Sequence, residues 1–147
     1  MGYCHDLIVV QRDDLAAVVE DSAHALRPSC IQDVGIETEN IANLISVLRG
    51  VDIYDCLEDL LDEIEADHFE TNDDTGAFGT ALSDSIRDEL AEFQETRIAE
   101  VLPKWLTIEG KYGLFGSYDP EQSLRKLVSQ CRLAKSLGNS VVIKSYE

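Results

Sequence analysis

DCLEDLLDEIEADHFETNDD, residues 55–74, carries ten carboxylates in twenty positions, with His68 as its one imidazole. Ile53 just upstream, then Leu57, Leu60, Leu61 and Ile64, recur at helical spacing. One face of the segment is therefore apolar, and Glu58, Asp59, Asp62, Glu63 and Glu65 fall on the others. Carboxylates three and four residues apart repel by roughly a few tenths of a kcal/mol per pair. A helix this acidic is held by its packed Leu/Ile stripe rather than by its surface. The run from His68 to Thr80, with Asn72-Asp-Asp-Thr-Gly76, reads as the loop that breaks it.

Upstream, Leu7-Ile-Val-Val10 is a short apolar strand, and Asp13 is placed to cap a helix carrying Leu15, Val18, Val19 and Leu26. Arg27-Pro28-Ser29 stops that helix, and Cys30 to Gly35 read as loop. A second helix starts near Thr38, has Ile41, Leu44, Ile45 and Leu48 on one side, and ends at Gly50. Downstream, Leu82, Ile86, Leu90, Phe93, Ile98 and Val101 mark one long helix that ends before Pro103. Trp105-Leu-Thr-Ile108 is β-like, and GKYGLFGSY continues it as a hairpin partner or a glycine-rich loop. Asp119-Pro120-Glu121-Gln122 is a helix start, Leu124, Leu127, Val128, Cys131 and Ala134 form its buried stripe, and Gly138 stops it before the closing strand Ser140–Tyr146. Strands separated by helices, with apolar strands at both ends, predict an α/β fold: a small, mainly parallel sheet covered by helices.

The 147 residues suit one domain, taken as 1–147, with enough apolar content for a real core. No signal-like or membrane-spanning apolar run is present, and Cys4, Cys30, Cys56 and Cys131 are far apart with no C-x-x-C pair, so a cytoplasmic protein with reduced thiols is expected. The net charge of −17 is regional: residues 1–104 hold 25 acids and 6 bases, net −19, whereas 105–147 hold 4 acids and 6 bases, net +2. Such a field repels nucleic acid and anionic membrane and attracts basic partners.

Sharp catalytic or metal motifs are missing. With Gly76 at the sixth position of a calcium loop, Thr71 falls first and Leu82 twelfth, so that register fails. Asp62-x-x-Glu65 and Glu89-x-x-Glu92 are spaced like the paired carboxylates of all-helical magnesium pyrophosphohydrolases, a pattern that sixteen acids in residues 55–100 produce by chance. His5, His24 and His68 are dispersed and sit beside no evident nucleophile, so they read as structural or exposed. Gly110, Gly113 and Gly116 match no phosphate-binding loop. Arg125, Lys126, Arg132 and Lys135 on the last helix read as partners for the acidic helices. No cofactor and no enzymatic activity are expected.

The segment Glu39-Asn-Ile-Ala-Asn-Leu-Ile-Ser-Val-Leu-Arg-Gly50 resembles the second helix of the barstar family of intracellular ribonuclease inhibitors, and Gln122 to Ile143, with its Ala134-Lys-x-x-Gly138 turn, resembles that family's last helix and strand. The resemblance spans about 35 residues and implies a three-stranded, mainly parallel sheet with four to five helices. Residues 51–104 would then be an acidic helical insertion. The family's inhibitory helix carboxylates fall at Ala42 and Ser46, and a later acidic contact at Leu133, so those roles do not carry over to this chain.

Charge and resemblance together point to an immunity or inhibitor protein that blocks a basic partner, a nuclease toxin foremost. The candidate contact residues are Glu37, Glu39 and Asn43 on the second helix, Glu58, Asp59, Asp62 and Glu63 on the acidic helix, and Asp73 and Asp74 in the loop. A phage-type nucleic-acid mimic and a magnesium-dependent pyrophosphohydrolase using Asp62, Glu65, Glu89 and Glu92 are the alternatives.

Overall fold

The computed structural model describes residues 3–72, 74–110 and 119–147. In chain order these form β1 (Cys4–Val10), α1 (Leu15–Glu20), β2 (Cys30–Ile31), α2 (Thr38–Arg49), α3 (Ile53–Ile64), β3 (Glu65–Glu70), β4 (Phe78–Leu82), α4 (Asp84–Ala91), α5 (Ile98–Glu109), α6 (Pro120–Leu137) and β5 (Ser140–Tyr146). The five strands make one sheet in the order β2-β1-β5-β4-β3, and every pairing is antiparallel.

This overturns the expected three-stranded, mainly parallel sheet of barstar type. Strands β1 and β5 are apolar on both faces because helices cover both faces, and central antiparallel strands buried in this way look like parallel ones in sequence. One face carries Leu7, Val9, Val141 and Ile143 against helices α2 to α6. The other carries Ile8, Val10 and Val142 against Leu15, Val18 and Val19 of α1. Chain ends that looked like two members of a parallel set are instead direct neighbours, in register from Cys4 opposite Tyr146 to Val10 opposite Ser140.

The acidic segment divides at Ile64. Its first half is the expected amphipathic helix, with Ile53, Leu60 and Ile64 buried and Asp52 capping the Tyr54 N–H at 2.9 Å. Its second half is β3, an edge strand that pairs with β4 through residues read beforehand as loop. Glu65, Asp67 and Glu70 project from this edge, and charge there discourages pairing with another chain.

The expected long helix from Leu82 is broken, with Leu82 ending β4 and α4 and α5 separated by a 3₁₀ turn at Glu95–Arg97. Pro103 lies inside α5, not after it. Its missing N–H frees the carbonyl of Ala99, and both residues are exposed, so this break in the helical ladder lies on the solvent side. Ile98, Val101 and Trp105 form the buried face, which makes Trp105–Ile108 helical and not strand. The continuation 111–118 lies outside the described residues. Helix α1 ends at Glu20, so Leu26 is exposed and not part of its buried face. Helices α2 and α6 end at the expected glycines, Gly50 at φ 67° and Gly138 at φ 69°, which take the left-handed cap.

Gly79 on β4 lies directly beneath α1. A Cβ at this position would sit 2.4 Å from Val19 Cγ2 and 3.4 Å from Leu15 Cδ1, so the glycine is what lets the helix approach the sheet. Gly79→Ala should destabilise the fold by about 1–3 kcal/mol through overpacking, read as a lower urea midpoint. No helix among the described residues is long and apolar enough to cross a membrane.

Candidate functional site

Helix α3 exposes Asp55, Glu58, Asp59, Asp62 and Glu63 on its outer face. Glu63 is paired at 2.7 Å with Arg49, whose guanidinium also holds Glu89 at 2.7 Å. This hydrogen bonding lowers the Glu63 carboxyl pKa and raises that of the guanidinium. Asp55, Glu58, Asp59 and Asp62 form no ion pair among the described residues. Tyr54 stands beside them, 89% exposed. Glu65, Asp67 and Glu70 extend the acidic surface along β3, with His68 Nε2 3.1 Å from Glu70.

Most cations are committed elsewhere. Arg12 pairs with Asp84, Arg27 with Asp21, Arg87 with Asp88 and Asp84, Arg125 with Glu95, and Lys135 with Glu92. Arg132 donates to the carbonyls of Ala91 and Phe93. The basic side of α6 thus neutralises the α4–α5 region and leaves α3 negative.

The remaining contact candidates scatter. Glu39 is exposed, whereas Glu37 is half-buried, caps α2 and bonds His5. Asn43 is not on the exposed side of α2: it is buried, and its amide donates to Glu109 Oε1 at 2.9 Å, beside a 2.9 Å bond from Asn40 to Glu109 Oε2. These bonds tie α2 to α5. Ala42 and Ser46, where the inhibitor family has carboxylates, are fully buried, and Leu133 is exposed. Asp74 is exposed, and Asp73 lies outside the described residues. No three of Asp62, Glu65, Glu89 and Glu92 gather within 4.8 Å of one another among the described residues.

Two buried polar clusters, neither suspected from sequence, occupy neighbouring rungs of the β1–β5 ladder. Asp6 is opposite Lys144 on the α1 face, and His5 is opposite Ser145 on the α2 face. The fully buried Asp6 carboxylate accepts from His24 Nε2 at 2.6 Å, the Tyr146 hydroxyl at 2.9 Å and the Asp33 N–H at 2.7 Å. Lys144 Nζ donates to the carbonyls of Val18 at 3.0 Å and Asp21 at 2.8 Å and to His24 Nδ1 at 3.0 Å. With Nδ1 accepting, the imidazole proton resides on Nε2 and is given to Asp6. Burial lowers the Lys144 pKa and raises that of Tyr146, which the hydrogen bond to Asp6 also raises; burial pushes the Cys30 thiol up to about 11. Every polar group named here is satisfied, so this cluster locks α1 and the 24–33 segment to the sheet.

On the other face His5 Nδ1 is 2.8 Å from Ser145 Oγ, and His5 Nε2 is 3.0 Å from Glu37 Oε1. The hydrogen bond from His5 lowers the Glu37 carboxyl pKa. Glu37, Thr38, Thr80 and Ser145 help to wall a cavity of about 260 Å³. The sequence signals were weak: polar pairs, His5-Asp6 and Lys144-Ser145, at the ends of apolar runs. No protein-family model, no curated protein and no solved structure matches the chain.

Proposed function

We propose that the chain is an acidic binding protein of the inhibitor or immunity kind, which takes a basic partner, foremost a nuclease toxin, on the α3–β3 face. One observation carries this reading: Asp55, Glu58, Asp59 and Asp62 share the exposed side of α3 with Tyr54 and form no ion pair among the described residues, although cations pair with acids over much of the remaining surface. Unneutralised charge steers an oppositely charged partner and speeds encounter, and an exposed aromatic ring provides an anchor of low entropic cost. Glu63 contributes less because Arg49 already holds it. Glu39, Glu70 and Asp74 belong to the same overall field.

The variant Asp55→Asn, Glu58→Gln, Asp59→Asn, Asp62→Asn removes that charge while keeping the side-chain sizes. With a basic protein captured from the native cell at low salt, this variant should associate about 10- to 1,000-fold more slowly than the wild type. The wild-type rate should fall steeply as salt is added, and the variant's only weakly. Equal rates for both proteins would remove α3 from the interface, and failure to capture any basic protein at low salt would leave the charge a solubility device.

A further inference from the structure

We propose that Ser145, His5 and Glu37 form an acyl-transfer site that cleaves small uncharged carboxylic esters. This inference is independent of the acidic face and of its partner.

The three residues come from β5, β1 and the N-terminal end of α2, and their contacts meet the geometric requirements of a nucleophile, a base and an orienting carboxylate. Ser145 Oγ lies 2.8 Å from His5 Nδ1, and His5 Nε2 lies 3.0 Å from Glu37 Oε1. Both ring nitrogens are therefore engaged, one by the hydroxyl and one by the carboxylate. The ring is held between two strands and a helix cap, since His5 and Ser145 are directly opposite in the β1–β5 ladder and Glu37 also accepts the Asn40 N–H. His5 and Ser145 are both buried, at 5% and 2% exposure, so the pair is shielded from bulk water.

A cavity of about 260 Å³ adjoins the group. Ser145 and Glu37 line it together with Thr38 and Glu39, the first residues of α2. Helix-initial N–H groups have no intrahelical acceptor, so those of Thr38 and Glu39 are donors available to a developing oxyanion. Leu61, Phe78 and Ile143 also line the cavity, which suits a short apolar acyl chain. The carboxylates of Glu37 and Glu39 at the same cavity disfavour anionic substrates.

In the forward step Ser145 Oγ bonds to the ester carbonyl carbon as its proton passes to His5 Nδ1. Glu37 stabilises the imidazolium at Nε2, and the negative oxygen faces the start of α2. Collapse breaks the carbon–alkoxide bond, and His5 returns the proton to the leaving alcohol. Water then attacks the acyl-serine, giving one proton to His5, and the carboxylic acid leaves as Ser145 recovers its hydrogen. Ser145 and His5 are the catalytic residues and Glu37 is a positioning residue.

The full chain is treated at pH 8 with a small alkyl fluorophosphonate and digested for mass spectrometry, and p-nitrophenyl butyrate hydrolysis is followed in parallel. A one-to-one adduct on Ser145 is expected, with loss of both adduct and hydrolysis in Ser145→Ala and a decrease of about 10²- to 10⁴-fold in His5→Gln. Glu37→Gln should slow labelling about 10-fold or more and move the acid limb of the pH–rate profile to lower pH, which a purely structural role would not do. Ser145→Cys conserves shape where the alanine variant fails to fold, and its thiol should resist the phosphonate yet be alkylated by iodoacetamide at the new position. A folded wild-type chain without an adduct at Ser145, or hydrolysis unchanged in a folded Ser145→Ala variant, overturns the assignment.

Discussion

Asp6→Asn is expected to lower the free energy of unfolding by about 3–5 kcal/mol, the usual cost of removing one member of a buried charged network. The carboxylate is fully buried and accepts from His24, Tyr146 and the Asp33 N–H. An amide at this position replaces an acceptor oxygen by a donor among donors, and it removes the negative charge that favours the buried Lys144 ammonium. Lys144→Met is costly for the complementary reason, because the carbonyls of Val18 and Asp21 and His24 Nδ1 lose their donor. The double variant removes the opposite charges together. Its loss should be smaller than the sum of the single losses by about 0.5–3 kcal/mol, measured by urea denaturation at pH 7. Strictly additive losses would show that the two groups are not coupled across the rung.

Trp105→Ala should cost about 3–5 kcal/mol. The indole is fully buried in α5, within the core cluster that also holds Ile41, Leu44 and Leu124, and its Nε1–H donates to the Asn40 carbonyl at 3.0 Å. Truncation leaves a large apolar void and removes the indole's hydrogen bond to the Asn40 carbonyl. Trp105→Phe keeps most of the volume and loses the hydrogen bond, so it should fall about 1–3 kcal/mol below the wild type. Calorimetry of both variants separates the two contributions. A cost near zero for Trp105→Ala would contradict the helical placement of residues 98–109.

The helical placement of Trp105 across a proline has a local physical reason. The buried positions Ile98, Val101 and Trp105 keep helical spacing straight across Pro103, but a proline in sequence is indistinguishable from a stop until the exposure of the Ala99 carbonyl is known. The acidic segment shows the same limit. Leu57, Leu60, Leu61 and Ile64 mark α3, yet Glu65 reads as the end of that helix and His68–Glu70 as loop, because an exposed charged edge strand carries little apolar alternation. Gly76 and the acid-rich turn marked a break, and the break proved to join two strands.

The candidate sites divide along the same line. The outward face of α3 was legible because amphipathic periodicity assigns acids to solvent, and Glu58, Asp59, Asp62 and Glu63 are exposed as expected. Asn43 was misplaced because α2 is buried over most of its circumference by α3, α5 and the sheet, and no single-helix pattern shows a second covered side. The His5–Ser145 and Asp6–Lys144 rungs join residues about 140 positions apart, and nothing local encodes such a register.

Sequence alone determined the elements with marked ends: α2 and α6 with their glycine caps, the amphipathic α3, the terminal apolar strands and the regional excess of acid. Local chemistry suffices for these, since caps, periodicity and charge act over one or two turns. Tertiary structure decided strand direction, the hairpin that adds β3 and β4, and the side chains that meet at the β1–β5 ladder. Those depend on which buried faces fit together across the whole chain, and pairing the two ends antiparallel is what places one histidine against a serine and a carboxylate, and another against an aspartate and a lysine.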